Sequence, residues 1–198
     1  MFKSKIKSAV FATLLVTGGL AASLTSASAN SYNLDTQGAH ANIQFKISHL
    51  GFSWVQARFN KFEGQLEFDE NKPDASSINI TVDTSSLDSN HAERDKHLRS
   101  ADFLDVSKFP TATFVSTGLK STGDKTAMLN GDLTIKGVTK PISMEVNWIG
   151  GGDDPWGYVR QGFEGSTVIP VADYGMIDMG PTAQEVEISI FFEGVRPK

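Results

Sequence analysis

The 198-residue chain predicts an all-β domain of about eight antiparallel strands. Three observations carry this. Apolar and polar side chains alternate with a period of two through most of the chain after residue 29, which sets them on opposite faces of strands. Short connectors rich in turn-forming residues separate these runs at fairly regular spacing, the pattern of a sandwich or barrel rather than of βαβ units. A single segment in the middle of the chain breaks the alternation and reads as helix.

The strands follow in order. Ile43, Phe45 and Ile47 alternate with Gln44, Lys46 and Ser48, with His49 next on the apolar register. Val55, Ala57 and Phe59 continue on odd numbers, but Phe62, Gly64, Leu66 and Phe68 are even, so the phase slips at Asn60-Lys61 and predicts a bulge or bend there. Further runs centre on Ile78-Ile80-Val82, Ala112-Phe114, Ala127-Leu129-Leu133-Ile135, Ile142-Met144-Val146-Trp148, Phe163-Gly165-Thr167-Ile169 and Val186-Ile188-Ile190-Phe192. Connectors such as Thr122-Gly123-Asp124-Lys125 and Lys136-Gly137 are short enough for hairpins. One apolar and one polar face per strand fits a sheet wetted on one side, and an up-and-down barrel would bury every edge.

Residues 91–99 carry no period of two and no β-branched residue, and they predict a short helix. Asn90 stands where an N-cap would, with Glu93 three residues on, and Asp95–Arg99 has i,i+4 spacing. Residues 100–105 predict a further helical turn, ending before Phe109-Pro110.

The N-terminus reads as a secretory leader. Lys3, Lys5 and Lys7 precede an apolar run of about 14 residues, and a small polar segment ends in Ala27-Ser28-Ala29, an A-x-A cleavage pattern. The run is short of the roughly 20 residues that a membrane-crossing helix needs. The expected organisation is a signal peptide over residues 1–29, cleaved after Ala29 for export to the periplasm, and one domain over 30–198. With the three leader lysines set aside, 15 basic residues face 23 acidic ones, a net charge of −8. That acidic balance argues against nucleic acid and against electrostatic docking on anionic lipid. There is no cysteine, so thiol chemistry, iron–sulfur clusters and cysteine zinc sites are excluded.

Motifs for catalysis are scarce. GxSxG, P-loop and GxGxxG patterns are missing. His91 and Asp95, like Glu93 and His97, have i,i+4 spacing and outline a metal pair, but HExxH and a third ligand are lacking, and a charge-laced helix face explains them better. Asp153-Asp154, between glycines and Pro155-Trp156-Gly157, reads as an exposed loop. The aromatic residues are more suggestive. Phe45, Phe59, Phe62, Phe68, Phe114, Trp148, Phe163 and Phe192 fall on the apolar faces, with Ala57, Gly64, Gly131 and Gly165 among them to leave room beside the rings. An eight-stranded barrel can be filled by its own side chains or hold one small ligand; periodicity leaves both open.

The stretch from His91 to Leu104, with Arg94-Asp95-Lys96-His97-Leu98-Arg99-Ser100-Ala101-Asp102-Phe103, strongly resembles a signature of the YceI-like family of periplasmic proteins. Tyr32-Asn33-Leu34-Asp35, His49-Leu50-Gly51, Phe109-Pro110-Thr111-Ala112-Thr113-Phe114 and the run from Gly131 to Pro141 also look like that family, so the resemblance spans the domain. Many members carry Arg-Ser-Asp-Phe-Gly late in the chain; here the positions read Val171-Ala172-Asp173-Tyr174-Gly175, and the arginine's contacts cannot be carried over.

The resemblance implies a lipocalin-like eight-stranded antiparallel barrel with a short helix and a helical turn near one end. It implies binding of a polyisoprenoid or similar lipid, no catalysis, no cofactor, and a link to stress responses. On this reading the lining residues are Phe45, Ile47, Phe59, Leu66, Phe68, Ile80, Phe114, Leu133, Met144, Trp148 and Ile188, with His49 a ligand contact at the rim and Phe103 and Leu104 gating the mouth. The partner is then a hydrophobic small molecule, without nucleic acid and without stable membrane insertion, and a homodimer stays open. Two competing readings are a metal-assisted enzyme on residues 91–97 and an envelope interaction module. The module would need an exposed apolar patch, which the polar outer register does not predict.

Overall fold

The computed structural model of the chain describes residues 29–198; the predicted leader lies outside them, Ala29 excepted. Eleven strands form one antiparallel sheet: β1 Asn30–Leu34, β2 Ala41–His49, β3 Ser53–Phe59, β4 Phe62–Phe68, β5 Ser77–Asp83, β6 Leu87–Asp88, β7 Thr111–Ser121, β8 Thr126–Ile135, β9 Val138–Asp153, β10 Tyr158–Pro170 and β11 Glu185–Pro197. One helix, α1 Ala92–Leu98, lies between β6 and β7.

The sheet closes on itself as an eight-stave barrel. Three staves are bent and count twice. β1 and β2 share one side of β11, β2 pairing with its residues 186–192 and β1 with 194–195. Next to them β4 pairs with β1 and β3 with β2, and then β5 pairs with β4 and β6 with β3. From β5 the circuit runs through β7, β8, β9 and β10 back to β11. Neighbours in sequence are neighbours in space, so this is the up-and-down barrel, and the sandwich is excluded. The phase slip at Asn60-Lys61 is the bend between β3 and β4. Ser86 stitches it: Asn60 N–H donates to its carbonyl oxygen at 3.1 Å and Lys61 N–H to its Oγ at 2.9 Å.

At the barrel's helix end, α1 and the turns after it close the gap between β6 and β7, with Phe103 and Leu104 buried beneath them. The opposite, hairpin end carries the 121–126 turn. The capping of α1 differs from the sequence expectation. Asn90 has φ of 58° and stands outside the helix, and His91 is the N-cap, its Nδ1 accepting from Arg94 N–H at 3.1 Å. Nor does Asp95 pair with Arg99. Asp95 is buried and accepts from Ser89 N–H at 2.8 Å and from Ser89 Oγ, while Arg99 donates to the Leu87 carbonyl. Burial decides this, because the helix face carrying Asp95 turns toward the β6 connection and not to water.

Candidate functional site

The barrel encloses a cavity of about 840 Å³, near the upper end of the roughly 300–1,000 Å³ usual for ligand pockets. It runs from the helix end, where Arg94, His97, Met176 and Met179 border it, to the hairpin end, where Ser76, Ser121 and Lys125 do. Its walls are the apolar registers of the staves, because alternation sends every second side chain inward.

All fourteen side chains named from the sequence line this cavity. β2 and β3 supply Phe45, Ile47 and Phe59; β4 and β5 supply Leu66, Phe68 and Ile80. β7 to β9 supply Phe114, Leu133, Met144 and Trp148, and β11 supplies Ile188. Phe103 and Leu104 stand at the helix end. His49 reaches the cavity only at the rim, exposed at the end of β2 rather than turned inward. The same register that found these residues also marks Ile43, Leu129, Val146 and Ile190, which line the cavity equally. Met176 and Met179 escaped it, because they lie in the irregular segment between β10 and β11, where no period operates.

Rings stiffen the wall. Phe163 meets Phe68 edge-on at 5.0 Å and stacks with Phe192 at 5.4 Å, Trp148 lies 5.8 Å from Phe68, and Phe45 lies 5.8 Å from Phe59. The Trp148 indole N–H donates to Gln161 Oε1 at 2.9 Å, so its polar edge is satisfied inside the wall. The inward glycines do not leave vacant room beside the rings, as the sequence suggested. A Cβ on Gly131 would run into the Phe114 ring, one on Gly165 would sit 2.9 Å from Met144 Sδ, and one on Gly64 would sit 2.7 Å from the Asn79 carbonyl. The neighbours already occupy that space, and the hollow arises because Phe114 can lie back against bare backbone.

Polar chemistry lies mostly off the lumen. Tyr174 is almost wholly buried, and burial, with Asp173 nearby, pushes its hydroxyl up to about 12, so it stays protonated. The proposed metal helix does not assemble: His91 caps α1, Asp95 is held by Ser89, and His97 Nε2 faces Asp102 at 3.3 Å. Among the described residues the one grouping of metal-ligand type is Asp35, His40 and Glu193, on the outer wall. Arg160 is already there, its Nη1 2.8 Å from Asp35 and 2.6 Å from Glu193 and its Nε 2.7 Å from Asp154. A guanidinium between the carboxylates fills the place a cation would take. Asp154 is therefore not a loose loop residue: it anchors the β9–β10 hairpin, also accepting from Trp156 N–H and Tyr158 N–H. The outer surface also departs from expectation. The strand faces are mostly polar, but the hairpin turns expose Leu50, Phe52 and Trp156, and the strands themselves expose Trp54, Val115, Ile149, Val168 and Phe191.

Comparison with known proteins agrees with this architecture. A UPF0312 protein of Pseudomonas aeruginosa is 49% identical over 197 residues, 99% of this chain and 100% of its own. A UPF0312 protein of Shewanella baltica is 52% identical over 171 residues, 86% of this chain and 90% of its own. Among solved structures, Burkholderia cenocepacia BcnA superposes with a TM-score of 0.69 at 25% identity, covering 82% of this chain and 99% of that one. A polyisoprenoid binding domain from Saccharophagus degradans superposes with a TM-score of 0.64 over 84% of this chain and 98% of its own; at 14% identity the likeness is one of fold. The YceI-like domain matches residues 32–194, nearly the whole of the described chain, and the protein therefore belongs to the YceI-like family.

Proposed function

We propose that this chain is an exported, non-catalytic protein that shelters one long isoprenoid or similar lipid chain in its barrel. The observation that carries the reading is the apolar cavity of about 840 Å³ inside the barrel. Burial of apolar surface is worth about 25 cal/mol per Å², so a chain hiding on the order of several hundred Å² can offset its own ordering and reach micromolar affinity or better. No side chain need react. The lining gives affinity, and polar groups at the rim, His49, Arg94 and His97 among them, orient the head. The leader over residues 1–29 would deliver the domain of 30–198 to the periplasm, where a water-insoluble chain needs a carrier.

The test is gentle purification from the native envelope, lipid extraction and mass spectrometry. A long-chain lipid recovered near one per protein is expected. An empty lumen that also takes up no octaprenol from detergent micelles would overturn the reading. N-terminal sequencing of the same sample should begin at Asn30.

A further inference from the structure

The β2–β3 hairpin projects beyond the barrel wall. On one side the β11 pairing with β2 ends at Val186↔Ile47, and on the other the β6 pairing with β3 reaches only Arg58 and Phe59. Residues 48–54 pair only with one another. Their tip carries Phe52 at 87% exposure, and Leu50 and Trp54 at 60% each. The turn is built on φ of 55° at Leu50 and 77° at Gly51, a place where Asn-Gly is usual and a leucine is strained. A large apolar side chain is thus held in water at the expense of local backbone energy.

The tip adjoins the lumen. His49 and Leu50 border the cavity at the helix end, and Met176 and Met179 of the segment opposite pack against the cluster of Ile47, Val171 and Ala183. Ile177, exposed, borders the same mouth. Residues 47–57 contain no Asp, Glu, Lys or Arg, and no carboxylate occurs in the 27 residues between Asp35 and Glu63, although the chain is acidic overall. Trp54 stands just behind the tip with Lys46 Nζ 5.2 Å from its ring; Lys46 is itself paired with Glu187 at 2.9 Å, so it is the amphipathic indole that suits the headgroup boundary. At the other end of the barrel the projecting β9–β10 hairpin also exposes Trp156, but it carries Asp153 and Asp154.

We propose that the β2–β3 tip is a membrane-docking element that seats the helix-end mouth on a lipid bilayer, Leu50 and Phe52 entering the headgroup boundary and Trp54 lying at it. This rests on the lumen holding a lipid, whose store is the bilayer. Insertion stops at the tip, because the free edge of β3 keeps backbone polar groups that hydrocarbon cannot satisfy. The contact is apolar, so salt weakens it little. A second copy is a poorer occupant: a few tip side chains fall far short of the roughly 800 Å² per partner of a stable interface.

The test is flotation with vesicles of phosphatidylethanolamine and phosphatidylglycerol, using the wild type, F52S/W54T and W156S. Phe52, Trp54 and Trp156 do not border the lumen, so all three proteins should take up octaprenol from micelles alike. The wild type and W156S are expected to float, in low and high salt, and F52S/W54T to lose at least about tenfold in bound fraction. Equal flotation of F52S/W54T and wild type, loss in W156S instead, no flotation of the wild type, or a wild-type dimer that F52S/W54T dissociates would each overturn docking. Normal octaprenol uptake without flotation overturns docking alone, whereas absent uptake overturns the lumen reading on which docking rests.

Discussion

The ring of Phe114 on β7 lies over the bare backbone of Gly131 on β8, at the place a Cβ would occupy. The two strands bring them together through the pairs Phe114↔Leu133 and Ser116↔Gly131. This contact holds a large ring against the wall and keeps the lumen open.

Gly131→Ala should therefore shift the ring into the lumen. The added methyl also meets the Val115 carbonyl oxygen at 2.7 Å, which cannot move freely. Overpacking of this kind costs about 1–3 kcal/mol. Urea denaturation should show that loss, and octaprenol uptake should fall with it.

Leu133→Trp should behave in the opposite way for stability. Leu133 is half-buried; it packs against both apolar clusters of the wall and also borders the open cavity, into which a longer side chain can extend. A larger side chain there fills space instead of displacing neighbours, so the melting temperature should stay level or rise. Octaprenol uptake should drop at least about tenfold, because the chain's path is blocked. A variant that binds as well as wild type would mean the ligand lies elsewhere.

Arg160 ties together three distant segments through Asp35, Asp154 and Glu193. Burial opposes the charged form of Asp35, but hydrogen bonds from His40 and Arg160 outweigh it and hold the carboxyl at about 2. Burial works against the Asp154 carboxylate too, and Arg160 again prevails, leaving it below the usual carboxylate range. An Asp unfolds to an ordinary value of about 3.9, so the unfolded chain binds more protons between about pH 2 and 4. The clamp's stabilisation is then complete above about pH 4 and lost as pH falls toward 2. Arg160→Met should lower the melting temperature at neutral pH and flatten its rise across that acid window. Thermal melts of both proteins from pH 2 to 7 check this.

Asp95→Ala should destabilise the helix end. Ser89 N–H and Oγ would lose their shared acceptor in a buried place, at a cost of about 1–3 kcal/mol. Denaturation measures the loss, and amide exchange should localise it to residues 87–105. A metal role would instead predict a zinc-dependent change in stability; none is expected, since His91, Asp95 and His97 are engaged with their neighbours.

Much of the site was legible before the fold. Period two is a local rule of the backbone, so inward residues such as Phe45, Leu66, Met144 and Ile188 could be named one strand at a time. The bend at Asn60-Lys61 showed in the same way, as a change of phase. Met176 and Met179 could not be found so, because irregular segments have no phase. Turn residues hid much of the exposed tip for a related reason: Leu50 and Phe52 belong to no strand, so no register marks them, whereas Trp54 stands on the outer register of β3.

By itself the sequence determined the all-β class, the faces of the staves, the short helix and the family to which the chain belongs. Each of these depends on neighbours along the chain or on matched residues. Tertiary structure decided the rest. Closure of β11 onto β1 and β2 turned a sheet into a container, and Phe114 lying on Gly131 left that container hollow. Arg160 found partners at positions 35, 154 and 193, and Asp95 chose Ser89 over Arg99. Such choices depend on burial and on distances between residues far apart in the chain, which no local pattern encodes.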